Sequence, residues 1–113
     1  MAYHNERFIS FLKRELAYFL ERDFVRDEGV FLSVTDVRLT SAGDMANIFV
    51  SVFPKEKTAE VARSLKKSEK EARKYISSKL KSRKIPKINF LPDNSMENRV
   101  NLEKLLKNVE NEE

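Results

Sequence analysis

VFLSVTDVRLTSAGDMANIFVSVF, residues 30–53, reads as two strands and a turn. Apolar residues alternate at Val30, Leu32 and Val34, then resume in the opposite phase at Val37 and Leu39. Side chains of a strand point to its two faces in turn, so a phase slip of this kind marks an inserted residue, a β-bulge near Thr35 and Asp36. Ser41-Ala42-Gly43-Asp44 supplies turn chemistry. Beyond it Ala46, Ile48, Val50 and Val52 share one face of a second strand, and Asn47, Phe49, Ser51 and Phe53 share the other. The segment is an antiparallel hairpin.

A hairpin needs cover on at least one face, and the flanking sequence provides it. From Asn5, a plausible cap, to about Arg22, the residues Phe8, Ile9, Leu12, Leu16, Phe19 and Leu20 form one stripe of an amphipathic helix. Pro54 closes the second strand. From about Thr58 to Leu80, Val61, Leu65, Ala72, Ile76 and Leu80 recur at multiples of four or seven, marking one long helix or two joined helices. Pro86 ends that region, Ile88 and Phe90 alternate in a short third strand, and Asn94 with Glu97 caps a last helix on Leu102, Leu105, Leu106 and Val109. The fold class is therefore α+β: a two-layer domain, a three-stranded sheet with helices packed on one face, ordered α-β-β-α(-α)-β plus a C-terminal helix. This is the order of a type II KH domain. At 113 residues the chain has material for one core, read as a single domain over 1–109 with a frayed acidic tail at 110–113.

Composition removes several chemistries. With no Cys there are no disulfides, thiolate metal sites or cysteine nucleophiles. His4 has no second imidazole to work with, so Ser-His-Asp catalysis lacks its parts, and no metal ligand set is expected. Asp36 and Asp44 facing each other across the hairpin are the nearest thing to a Mg²⁺ site, but bulge and turn chemistry accounts for both. Glycine occurs only at 29 and 43, which permits neither a P-loop nor a dinucleotide fingerprint. The expectation is a protein that is not an enzyme and uses no cofactor or small-molecule substrate. Met1 to Arg14 lacks the apolar centre of a signal peptide, and no segment nears the roughly 18 apolar residues of a membrane span. It is expected in the cytoplasm, off the membrane and monomeric.

Charge points to a partner. Residues 55–87 hold thirteen Lys and Arg against four Glu, a net +9, while the whole chain carries +4, so the remainder sums to −5. One face of a small domain is basic and the rest acidic, the footprint of a polyanion-binding surface. At 100° per residue Arg63, Lys67, Lys70, Lys74 and Lys81 fall within about 60° of one another, opposite the apolar stripe. Lys79, Arg83, Lys84 and Lys87 extend that patch, and Lys66 and Arg73 adjoin it. These eleven residues are the candidate RNA-binding set. A solvated helix face is the bland explanation, but such faces ordinarily carry both signs. A second possibility is a protein-interaction module whose basic helix docks an acidic partner. Of the aromatics, Phe8, Phe19 and Phe90 fall on core faces. Phe49 and Phe53 are expected to pack under a helix in preference to stacking on RNA, and Tyr75 to border the patch.

The hairpin VTDVRLTSAGDMANIFVS, the basic helix, and SRKIPKINFLPDNSMENRVNLEKLL, in that order, resemble bacterial ribosome-binding factor A. In the last stretch the recurring positions are Arg83, Pro86, Ile88, Phe90, Asp93 and Ser95, and Arg7 and Arg73 also stand where that family carries arginine. Asp93 and Ser95 read physically as helix-entry caps. The resemblance spans nearly the whole chain. It implies a late-acting assembly factor that binds the small (30S) ribosomal subunit and its 16S rRNA, supports rRNA maturation, matters most in the cold and catalyses nothing. The family breaks its long helix at an Ala-x-Gly kink, where this chain has Ser68, Glu69 and Lys70. The hairpin turn also differs, at Ala42 and Gly43. The expected contact surface is therefore a continuous cation stripe from Arg63 to Lys81.

Overall fold

The computed structural model describes residues 2–80 and 84–93. Helix α1 (Ala2–Arg22) leads to the hairpin β1 (Phe31–Leu39) and β2 (Met45–Phe53), a short 3-10 turn (Lys55–Lys57), helices α2 (Thr58–Lys67) and α3 (Glu69–Lys79), and strand β3 (Lys87–Pro92). Asn5 lies inside α1, so the helix begins earlier than a cap at that residue would have it. The expected C-terminal helix, its cap at Asn94, Ser95 and the tail at 110–113 lie outside the described residues.

The sheet order is β1-β2-β3, with β2 antiparallel to β1 and parallel to β3. This is the expected α+β, KH-like (type II) arrangement, with the helices on one face of a mixed sheet. The register shifts between Val34 and Asp36, as the phase slip predicts. Thr35, the extra residue, donates its hydroxyl to the Asp93 carboxylate and lies 3.3 Å from the Phe49 carbonyl. Gly43 takes φ +72° in the β1–β2 turn, a conformation that costs glycine no steric clash.

Because β2 is central, its inward residues Ala46, Ile48 and Val50 are wholly buried, and Val34, Val37, Ile88 and Phe90 flank them. Leu12 and Leu16 of α1, Val61 and Leu65 of α2 and Ala72 and Ile76 of α3 close the core from above. Burying each large aliphatic or aromatic side chain contributes roughly 1.5–3 kcal/mol relative to exposure. Phe8, Phe19 and Phe90 are in the core as expected. Phe49 and Phe53 are not under a helix. They occupy the outward face of β2, where Phe53 is 67% exposed beside Phe31 at a ring separation of 6.5 Å, and Arg38 lies over the Phe49 ring. Alternation assigned both to one face correctly, but all the described helices cover the other.

Candidate nucleic-acid interface

The long helical region is two helices. α2 ends at Lys67 and α3 starts at Glu69, joined by Ser68 at φ −92°, ψ −2°. The continuous stripe from Arg63 to Lys81 is therefore corrected to two shorter faces, and Lys81 lies outside the described residues, as does Arg83. On α2, Arg63 and Lys67 sit 200° from Val61 and Leu65 respectively. On α3, Lys70 and Lys74 stand opposite Ala72 and Ile76 in the same way. Each helix buries its apolar side and turns an i,i+4 pair of cations outward, all four of them exposed.

Strand β3 gathers the rest. Glu69 Oε2 accepts from the Phe90 backbone N–H at 2.8 Å on the strand's free edge, which sets the helix junction against the strand. Further along α3, Arg73 donates to the Ile85 carbonyl at 3.0 Å, so the helix runs back beside the segment leading into β3. Lys66 donates to the Asn89 side chain and pairs with Glu69 at 3.2 Å. Lys87 is two residues from Asn89 on the same strand face, about 7 Å away along the chain. Lys66 thereby reaches the strand that carries Lys87, while Lys67, Lys70 and Lys74 stand on the outer faces of α2 and α3. Arg73 is spent in part on holding α3 to its neighbour, and Lys79 turns toward α1, its Nζ 5.5 Å from the Tyr75 ring.

Lys84 and Lys87 lie near the hairpin turn. Both help the Thr40 hydroxyl hold the Asp44 carboxyl below its ordinary range, the 2.6 Å hydrogen bond from Thr40 being the larger influence. Asp36 accepts from the Val37 N–H and pairs with Arg38 at 2.9 Å. Each carboxylate thus serves its own turn or bulge. Among the described residues no three His, Cys, Asp or Glu side chains converge as a metal site.

Tyr75 links α3 to α1. Its hydroxyl donates to Glu15 Oε1 at 3.0 Å and accepts from Arg22 at 3.1 Å, and its ring packs 5.7 Å from Phe19. Burial pushes the phenol above its ordinary value, and the Glu15 hydrogen bond and charge add to that. Arg22 was missed in the sequence, although it brings a further cation beside Tyr75 and Lys79. Nothing in local spacing signals it, because it stands 53 residues from its partner. Arg38, on the outward sheet face beside Asp36 and over Phe49, is a further cation outside the candidate set.

The profile of a family described as ribosome-binding factor A matches residues 4–106. The ribosome-binding factor A of Chlorobium phaeobacteroides is 34% identical over 116 aligned positions, covering 100% of this chain and 99% of that relative. The protein of the same name from Halothermothrix orenii is 36% identical over 104 positions, 90% of this chain and 84% of its own. Among solved structures, the crystal structure of ribosome-binding factor A from Thermus thermophilus superposes with a TM-score of 0.65 at 26% identity, over 77% of this chain and 92% of that one. A Thermus thermophilus ribosome-binding factor A homology model, fitted into a cryo-EM map of its 30S complex, gives a TM-score of 0.61 at 30% identity, covering 74% and 88%.

Proposed function

The chain belongs to the ribosome-binding factor A family, and from that premise we propose that it binds the small ribosomal subunit through 16S rRNA, using the basic strip along β3 and the outward faces of α2 and α3. It acts as a late assembly factor that supports 16S rRNA processing, with most effect in the cold and without catalysis of its own. It works in the cytoplasm as a monomer when off the ribosome. No described helix is long and apolar enough to cross a membrane.

The observation that carries the reading is the exposed pairs of cations that α2 and α3 turn outward, beside a β3 strand that Lys66 reaches at Asn89. Lysine ammonium groups on a rigid scaffold neutralise phosphates and release counterions, which gives strong, salt-sensitive binding with little dependence on base identity. The candidate set is Arg63, Lys66, Lys67, Lys70, Arg73, Lys74, Lys79, Lys81, Arg83, Lys84 and Lys87. Within it Lys67, Lys70, Lys74, Lys84 and Lys87 carry the phosphate contacts. KH-type scaffolds suit single-stranded or irregular RNA, where shape outweighs sequence.

The test is co-sedimentation with small subunits on a sucrose gradient. Lys67→Glu/Lys70→Glu/Lys74→Glu is expected to leave the subunit fraction while keeping its circular dichroism spectrum. A folded triple variant that travels with subunits as the wild type does contradicts the assigned face. Binding partners that survive nuclease treatment, together with unchanged rRNA on depletion, would favour a protein-docking module instead.

A further inference from the structure

We propose that Glu69 is the positioning residue of this basic surface: clasped by the Phe90 backbone amide and by Lys66, its carboxylate holds the break between α2 and α3 and so sets where the cations on either side stand. The inference rests on the rRNA-binding reading above.

Nothing in the local chain requires a break there. Lys66-Lys67-Ser68-Glu69-Lys70 contains neither Gly nor Pro, the usual causes of a sharp interruption. Ser68 stays in right-handed backbone space, and its side chain caps no amide of α3. Its hydroxyl returns to the Ser64 carbonyl at 3.2 Å, a bond that an unbroken helix also permits. The core does not demand the break either. Leu65 and Ala72 are seven residues apart, so an uninterrupted helix would keep them within about 20° of one face.

What fastens the junction in place is tertiary, and Glu69 supplies it. The Phe90 N–H lies on the free side of β3, where an edge strand presents donors without a ladder partner. Glu69 Oε2 meets it at 2.8 Å and takes Lys66 Nζ at 3.2 Å. Lys66 in turn holds Asn89, whose amide donates to Asn47 on β2 at 2.8 Å. The junction is thus fastened to adjacent residues of β3 and through them to the centre of the sheet.

Electrostatics and positioning predict opposite signs for removing Glu69. Simple charge counting says that deleting an acid from a cationic surface tightens polyanion binding. Positioning says that Glu69→Ala loosens it, because the gain in net charge is outweighed by displaced lysines. Glu69→Gln retains an oxygen acceptor for Phe90 but loses the ion pair with Lys66, and falls between wild type and Ala. Glu69→Asp keeps the charge but is one methylene too short to reach, and behaves as Ala.

The experiment measures affinity for isolated small subunits at fixed salt, alongside hydrogen exchange of the Phe90 amide by NMR. Glu69→Ala and Glu69→Asp are expected to bind about fivefold more weakly and to lower the salt slope by roughly one, as for a lost phosphate contact. Their Phe90 amide exchanges roughly tenfold faster or more, the factor matching a charge-assisted hydrogen bond. Glu69→Gln falls between wild type and Ala in both, since its amide oxygen preserves the bond to Phe90 without the charge. Equal or tighter binding by the Asp variant, or an unchanged Phe90 exchange rate, overturns the proposal. If Ala does not fold, the Asp and Gln pair still decides it. Failure of wild type to bind subunits would instead refute the underlying reading, leaving the exchange rates to judge the clasp.

Discussion

Lys67 and Arg73 lie six residues apart in the same basic region and are expected to behave differently when changed. Lys67 is exposed opposite Leu65, whereas a guanidinium nitrogen of Arg73 bonds the Ile85 carbonyl at 3.0 Å. Lys67→Gln should lower the salt slope of subunit binding by about one and leave the melting temperature unchanged. Arg73→Gln should cost about 1–3 kcal/mol in urea unfolding, since a partly buried carbonyl loses a charged donor. Tyr75 carries the pH prediction. Its folded pKa is raised above 10.0, first by burial and then by Glu15. Above the ordinary value the unfolded chain loses this proton while the folded protein keeps it, so stability present below that pH is lost as pH rises through the folded pKa. Urea titrations from about pH 8 to about pH 11 should show wild type losing stability more steeply than Tyr75→Phe; parallel curves would contradict the assignment. At this scale lysine exposure was legible from helical spacing, and the Arg73 and Tyr75 contacts were not, because their partners lie far away in the chain.

Among the elements, β1 was the most legible and the α2–α3 junction the least. The bulge at Thr35 shows in sequence because a period of two broken by one residue is a local signal. Deleting Thr35 removes the inserted residue and leaves Leu32, Val34, Val37 and Leu39 in one uninterrupted alternation, in the register they already hold against β2. What is lost is the Thr35 hydroxyl bond to Asp93, so the deletion is expected to keep a cooperative urea transition at a cost of about 0.5–1.5 kcal/mol. Loss of the cooperative transition would mean that the bulge itself is required for folding. The break at Ser68 has no Gly or Pro to mark it in this chain, and the bond that fastens the junction joins Glu69 to a strand amide 21 residues on. Phe49 and Phe53 mark a third kind of limit. Alternation separates the two faces of β2 but does not say which face the helices choose, and so their packing was assigned to the covered side.

For the molecule as a whole, regional charge was legible before any fold, with +9 concentrated in residues 55–87. What the sequence left open was how that charge is arranged in space. The parallel pairing of β3 with β2 brings Asn89, on the strand that carries Lys87, within reach of Lys66, and no linear pattern encodes that neighbourhood. The fold and the family resemblance thus came from several short motifs in order, whereas the shape of the interface came from the sheet topology. The most direct test of the phosphate-binding strip is the dependence of affinity for isolated small subunits on salt between about 50 and about 200 mM. With Lys67, Lys70, Lys74, Lys84 and Lys87 each neutralising a phosphate, log affinity should fall against log salt with a slope of roughly −3.5 to −4.5, and lose about one unit of steepness for each lysine changed to glutamine. A slope near zero, or a steep slope that these five changes leave unaltered, would contradict it.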